Sequence, residues 1–388
     1  MNLDELLHKL AERGGSDLHL KVGRPPLFRI AGDLLATSFP EVTRQEMQEA
    51  MFRIMTPPVK RKFEKSLEVD FAYEVPGLAR FRVNAYVQRQ DIAAAFRLIP
   101  LEVPTIDALG LPEVFKDVAS HQNGLVIVTG PTGSGKSTTL AAIIQHVNQN
   151  RPVHIITIED PIEFVYTDEL ATISQRELGV DTYDLLAALR SALRQDPDVI
   201  LMGEMRDRAT MEFAITAAET GHLVFSTLHT NDAKQTLDRI IDAFSQTEYA
   251  KQIRQQLALS LRAVICQRLL KRADGTGMVP TIEILINSPN VRQILAEGAT
   301  RDLDKVMEND TYYKMQTFNQ SLLSLVKQGL VTEEEAIAAS SAPEDLKLGL
   351  RGVVRRASAD EFDQDFGGAR RAGPRGGQRG GIQRGFEF

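Results

Sequence analysis

The sequence contains one cysteine, Cys266. An intramolecular disulfide is excluded, and a lone thiol fits a reducing compartment. Val264, Ile265 and Leu269 around it mark a small core residue more than a reactive thiol. No apolar run approaches the ~18 residues of a membrane span. A basic excess is missing as well: 45 Lys and Arg face 52 Asp and Glu, a formal net charge of -7. The body of the chain therefore lacks the charge of a nucleic-acid binder. The N-terminus MNLDELLHKLAERGG lacks the positive start of a secretory signal, carrying Asp4, Glu5 and Glu12 instead. Leu3, Leu6, Leu7 and Leu10 give it the spacing of an amphipathic helix. The expectation is a cytoplasmic chain.

What is present is enough for two or three globular domains in 388 residues. Residues 1–100 read as a small α+β domain, with SDLHLKVG, PLFRIAGDLL, FAYEVPGLARFRVNAYVQR and DIAAAFRLI as strand material. Residues 101–112, with two prolines and no period, read as a linker. Residues 113–290 alternate strand and helix, the pattern of a parallel α/β sheet. LVIVTG, VHIITIED, VILMGE and LVFSTLH are its buried strands, and ICQRLLKR-ADGTG-MVPTIEILI is a closing hairpin. Residues 291–350 are helical. Residues 351–388 turn rich in Gly and Arg, with too little aliphatic content to bury a core, and are expected to be disordered. Arg-Gly tracts bind RNA or anionic surfaces; a solvated tail without a chemical role is the plainer alternative.

GPTGSGKS, Gly130 to Ser137, fits G-x-x-x-x-G-K-S/T and lies between a strand and a helix. Its glycines let consecutive backbone N–H groups face phosphates, and the helix adds its positive end. Gly130, Pro131, Thr132, Gly133, Ser134, Gly135, Lys136, Ser137 and Thr138 form the expected nucleotide cradle. Lys136 would reach the β- and γ-phosphates, and the Ser137 hydroxyl would sit on Mg²⁺.

Such a site needs an acidic residue at the end of a neighbouring strand. VILMGE provides Glu204, preceded by Gly203 where many P-loop proteins carry Asp. Glu204 is then expected to serve Mg²⁺, through water, and the base must come from elsewhere. ITIEDPIEF, residues 156–164, places Glu159, Asp160 and Glu163 directly after an apolar run. Carboxylates are almost never buried without a partner, and the C-terminal ends of parallel strands converge on one ligand crevice. Glu163 is the expected base or positioner of the attacking water, with Glu159 supporting it. Asp160 fits an ion pair with a nearby arginine equally well. TGHLVFSTLHTND adds His222 and His229 on either side of a strand, either of them a candidate contact to the γ-phosphate or to Glu204. Taken singly, each is more often a packed polar residue, and His229, between Leu228 and Thr230 at the strand terminus, is the better candidate of the two.

GPTGSGKST, ITIEDPIEF, VILMGEMRD and TGHLVFSTLHTN resemble the Walker A, Asp box, Walker B and His box of the type II/IV secretion ATPases. GGSDLHLKVGRPP and MQTFNQSLLSLVKQGLVTEEEA resemble the type IV pilus retraction, or twitching-motility, branch. The likeness covers roughly residues 1–350. It implies a PAS-like N-terminal domain, a RecA-like P-loop NTPase domain and C-terminal helices. It also implies a cytoplasmic homohexamer at the inner membrane, with ATP and Mg²⁺ held between protomers. Arg82 in RFRVNAY and Arg97 in AFRLIP match the arginines that the family's N-terminal domain offers to the nucleotide, and Arg80 is a further candidate. A guanidinium at the γ-phosphate stabilises transition-state charge.

Two departures qualify the likeness. The paired-cysteine zinc motif of the assembly and type II secretion ATPases is missing, which favours the retraction branch. SPNVRQILAEG departs from the AIRNLIRE-type motif of the main retraction motor, and ASSAPEDLKLGLRG resembles that motor's accessory paralogue. The expected function is an ATP-hydrolysing ring that retracts pili and touches the membrane only through a platform protein. The alternatives are an accessory ring partner of a paralogous retraction ATPase and a nucleic-acid translocase. The acidic body argues against the translocase, and no nucleic-acid partner is expected.

Overall fold

The computed structural model describes residues 1–30, 32–99, 102–245 and 249–352. The Arg/Gly-rich tail from residue 353 onward and the first linker position lie outside the described residues. The N-terminal unit runs α1 (Leu3–Glu12), β1 (Gly15–Lys21), β2 (Leu27–Ile30), β3 (Asp33–Ala36), α2 (Arg44–Ile54), α3 (Pro57–Ser66), β4 (Glu68–Val75), β5 (Ala79–Gln88) and β6 (Asp91–Ile99). Its sheet is antiparallel throughout, in the order β3-β2-β1-β6-β5-β4.

Strand alternation explains why this sheet has one covered face. Leu18, Leu20, Phe81, Val83, Ala85, Ala94 and Phe96 point to the helices and are buried with the four leucines of α1. Each such Leu or Phe contributes about 1.5–3 kcal/mol when fully buried. The residues between them, Asp17, His19, Arg80, Arg82 and Arg97, occupy the face without helices. The strand material read as PLFRIAGDLL is two strands, β2 and β3, paired as a hairpin.

The second unit begins with α4 (Val114–Ala119), β7 (Gly124–Thr129), α5 (Lys136–Asn150), β8 (His154–Glu159), β9 (Thr172–Glu177) and α6 (Leu185–Ala192). It continues with β10 (Val199–Met202), α7 (Arg208–Glu219), β11 (Leu223–Leu228), α8 (Ala233–Phe244), α9 (Ala250–Ser260), β12 (Leu261–Lys271) and β13 (Met278–Ile286). The sheet order is β13-β12-β7-β11-β10-β8-β9, with every neighbour pair parallel except β12 and β13. β7, β10 and β11 are buried at every position, as continuous apolar runs between two helical layers must be. The stretch read as a linker sends Ile106 and Leu111 into one of those layers, beside Phe115 and Ile143. Cys266 is fully buried in the other. Helices α10 (Pro289–Glu297), α11 (Leu303–Asn309), α12 (Phe318–Lys327), α13 (Glu333–Ala339) and α14 (Pro343–Leu350) follow.

Glu283, on β13, is the least expected residue of this core. It is buried, and its Oε1 accepts from the Ala233 N–H at the start of α8, 2.8 Å away. Burial, with Asp232 and Asp304 nearby, pushes its carboxyl up to about 7. The folded chain thus holds this proton more tightly than the unfolded chain. The stabilisation is present below the ordinary Glu pKa and is lost as pH rises through about 7. Glu283→Gln keeps an acceptor and removes the titration, so its stability relative to wild type is expected to rise by up to about 3 kcal/mol between pH 5 and pH 8. Urea midpoints at the two pH values measure this, and an offset identical at both would contradict it.

Candidate active site

Four parallel neighbours, β7, β11, β10 and β8, end on the same edge of the sheet, and each ends in a polar residue or loop. β7 runs into Gly130, whose φ is 144°, and the loop turns again at Gly133 and Gly135 with φ of 80° and 88°. A Cβ on Gly130 would lie 2.2 Å from the carbonyl oxygen of Gln267, so only glycine fits. Gln267 itself, buried on β12, braces the loop: its Nε2 donates to the Ser134 carbonyl at 2.8 Å, and its Oε1 accepts from Thr139 Oγ1 at 2.7 Å. Nothing in the local pattern marks this brace, since Gln267 lies far along the chain in a mostly apolar strand.

Gly135 caps α5 without a side chain, leaving the first N–H groups of the helix open toward the loop. Lys136 Nζ donates to the carbonyls of Gly130 and Pro131 at 2.8 and 3.0 Å. Burial lowers its pKa, while the charges of Glu204 and Glu163 act the other way. The charges of both carboxylates thus reach the same ammonium. Ser137 is exposed on the first turn of α5, and the buried Ser134 Oγ has no hydrogen-bond partner.

Glu204 follows β10 after Gly203, which Ile158 and Thr227 hold from both flanking strands: Gly203 N–H donates to Ile158 O at 3.0 Å, and Thr227 Oγ1 donates to Gly203 O at 2.6 Å. The Glu204 carboxylate accepts from Arg206 Nε at 2.9 Å and lies 3.5 Å from His229 Nε2. Arg206 also approaches Asp160 at 3.8 Å, so Asp160 takes the ion-pair role.

Glu159, at the end of β8, is not left alone. Its Oε1 accepts from Thr157 Oγ1 at 2.7 Å and from Gln175 Nε2 at 3.3 Å. Burial nevertheless raises its pKa, against the pull of these bonds and of the Glu163 N–H. A cis peptide joins Asp160 to Pro161. Glu163 is half-buried beyond it, and its carboxylate accepts no hydrogen bond among the described residues.

His222 and Arg80 depart from expectation. His222 lies at the opposite end of β11 from His229, roughly 20 Å away at ~3.3 Å per residue, with Nδ1 3.0 Å from the Ala217 carbonyl. A strand of six residues necessarily separates its flanks in this way. His222 is therefore no part of the group around Lys136. Arg80 is engaged by Glu177 of β9 at 2.6 Å and is mostly buried. Arg82 and Arg97 sit directly opposite one another across β5 and β6, an unfavourable like-charge pairing. Each is balanced within its own unit: Arg97 Nε by Asp17 at 3.0 Å, and Arg82 Nε by Asp70 at 3.9 Å.

The family model for "Type II/IV secretion system protein" matches residues 4–301. The chain is 46% identical over 345 residues to the type IV pilus retraction ATPase PilT of Pseudomonas aeruginosa, covering 89% of this chain and all of that one. It is 39% identical over 351 residues to the type IV pilus ATPase PilU of the same organism, covering 90% of this chain and 92% of that one. A crystal structure of the pilus retraction motor PilT with bound ADP superimposes with a TM-score of 0.83 at 44% identity, over 89% of this chain and 99% of the other. The seven-stranded unit has the RecA-like ATPase fold. On the match across most of its length, the chain belongs to the type II/IV secretion system protein family.

Proposed function

We propose that this protein is an ATP-hydrolysing motor that powers type IV pilus retraction as a homohexameric ring. The observation that carries the chemistry is the glycine loop after β7, with Lys136 Nζ held at its mouth, and Glu204 and Glu163 placed past the ends of β10 and β8 on the same sheet edge. The pilus assignment rests on the 46% identity with a retraction ATPase.

In this reading the P-loop N–H groups and Lys136 bind the β- and γ-phosphates. Ser137 and Glu204 would hold Mg²⁺, Glu204 through water. The exposed Ser137 hydroxyl, the glycine cradle and the nearby half-buried carboxylate suit that ion and its phosphates. When bound, the ion neutralises phosphate charge. Glu163, whose carboxylate accepts no hydrogen bond among the described residues, orients and deprotonates the attacking water, and Glu159, held by Thr157 and Gln175, lines the same loop. His229 reports the state of Glu204 to β11. Arg82 and Arg97 exchange Asp70 and Asp17 for the nucleotide of a neighbouring protomer.

No helix among the described residues is long and apolar enough to cross a membrane. The ring is taken to work at the cytoplasmic face of the inner membrane through a platform protein. A second reading, an accessory ring partner that is slow alone, is favoured by the 39% identity to PilU. Turnover per protomer against protein concentration separates the two. The motor reading expects a steep rise as rings form. An assembled, ATP-binding but inactive ring would contradict it and support the accessory reading.

A further inference from the structure

β9 has almost no apolar side chains to bury; it is an edge strand whose polar residues do the holding. Gln175 and Glu177, two positions apart, lie on one face of it. Gln175 Oε1 accepts from the Tyr166 N–H at 2.9 Å, and its Nε2 donates to the Phe164 carbonyl at 2.8 Å and to Glu159 at 3.3 Å. Glu177 Oε2 accepts from the Ile162 N–H at 3.3 Å. The backbone on both sides of Glu163 is thus pinned at 162, 164 and 166 by two side chains of one strand.

The pin next to Glu163 has a second partner. The same Glu177 oxygen accepts from Arg80 Nη2 at 2.6 Å, and the two side chains are 4% and 19% exposed. Arg80 belongs to β5 of the N-terminal unit, two residues before Arg82 and on the same face. One carboxylate oxygen therefore joins the N-terminal sheet to the loop that carries Glu163. A charge-assisted bond of this length, largely shielded from water, responds strongly to a small displacement of either unit.

We infer that Glu177 is a positioning residue that makes the geometry of the 160–166 loop depend on the orientation of the N-terminal unit. With Arg80 engaged, the loop is clamped and Glu163 is aimed. When the N-terminal unit moves away, Glu177 loses its cation and its hold on Ile162 weakens. The inference rests on the role given to Glu163 above.

The test uses the full chain with Arg80→Gln, Glu177→Gln, their double variant and Arg80→Lys. It reads kcat and KM for ATP together with amide exchange at 162–166. Each single glutamine variant is expected to lower kcat roughly tenfold to a hundredfold, with KM changed less than about twofold. Exchange at 162–166 should quicken roughly tenfold, while β7 and β11 keep wild-type protection as evidence of an intact fold. The double variant should be no worse than either single one, because both remove the same link, and Arg80→Lys should restore part of kcat. Unchanged exchange at 162–166 in Arg80→Gln would overturn the proposal, as would unchanged kcat with only a lowered melting temperature. If Glu163→Gln turns over normally while Arg80→Gln still loosens the loop, the base assignment fails and the coupling stands.

Discussion

Glu163→Gln is expected to lower kcat by roughly 10²–10⁴-fold, the usual worth of a positioned general base, while ATP still binds. The two carboxylates whose charges reach Lys136 differ in what they already hold. Glu204 is occupied by Arg206 Nε and stands beside His229, in the position of a residue that orders a metal shell and its waters. Glu163 accepts no hydrogen bond among the described residues, yet the backbone on either side of it is held, by Glu177 at the Ile162 N–H and by Gln175 at the Phe164 carbonyl. A carboxylate held at its base and free at its tip suits a base. The amide of Gln has nearly the same shape and cannot take a proton, so lost turnover with ATP binding retained points to the chemistry rather than to the fold. Glu204→Gln is expected to lower kcat comparably and also to weaken Mg²⁺-dependent nucleotide binding. Phosphate release and equilibrium binding of a fluorescent ATP analogue distinguish the two variants. Near-wild-type turnover by Glu163→Gln would remove it from the chemistry.

Arg82→Ala and Arg97→Ala should each reduce turnover by roughly 10³-fold, the lower end for an arginine supplied to a phosphoryl transition state. Two guanidinium groups face each other across β5 and β6, where like charges cost stability. Asp17, 7% exposed, and Asp70 compensate within the same sheet. A fold gains nothing from that arrangement, and an incoming anion gains two donors that are already gathered. Arg97 is bound to Asp17 through Nε at 3.0 Å, so Asp17 competes with an incoming nucleotide for it. Ring assembly, followed by light scattering, should be unaffected in both variants; loss of the ring would show instead that the arginines build the interface.

The parts of this site that were legible in the sequence are those in which chemistry and chain order coincide. The P-loop, Glu204, Glu159 and Glu163 each lie at or within a few residues of the end of a buried apolar strand, and parallel strands bring such ends to one edge. Three features escaped because they depend on contacts between distant segments. Gln267 meets Ser134 only because β12 lies beside β7. Arg80 meets Glu177 across 97 residues. β9 itself went unseen, since TISQRE has no apolar alternation: its side chains hold a loop rather than a core. His222 is the opposite lesson. Strand geometry alone separates the flanks of LVFSTL, so the sequence already carried the reason to leave that residue out.

The claim that active sites are shared between protomers has a direct test in mixed rings. Glu163→Gln and Arg97→Ala chains, each inactive alone, are co-assembled in equal amounts and assayed for ATP turnover. If the arginine comes from the neighbour, about a quarter of randomly formed interfaces unite an intact Glu163 with an intact Arg97, and turnover returns toward that fraction of wild type. If the chains co-assemble and no activity returns, sites do not draw on two protomers in this way, and the role given to the N-terminal arginines is wrong.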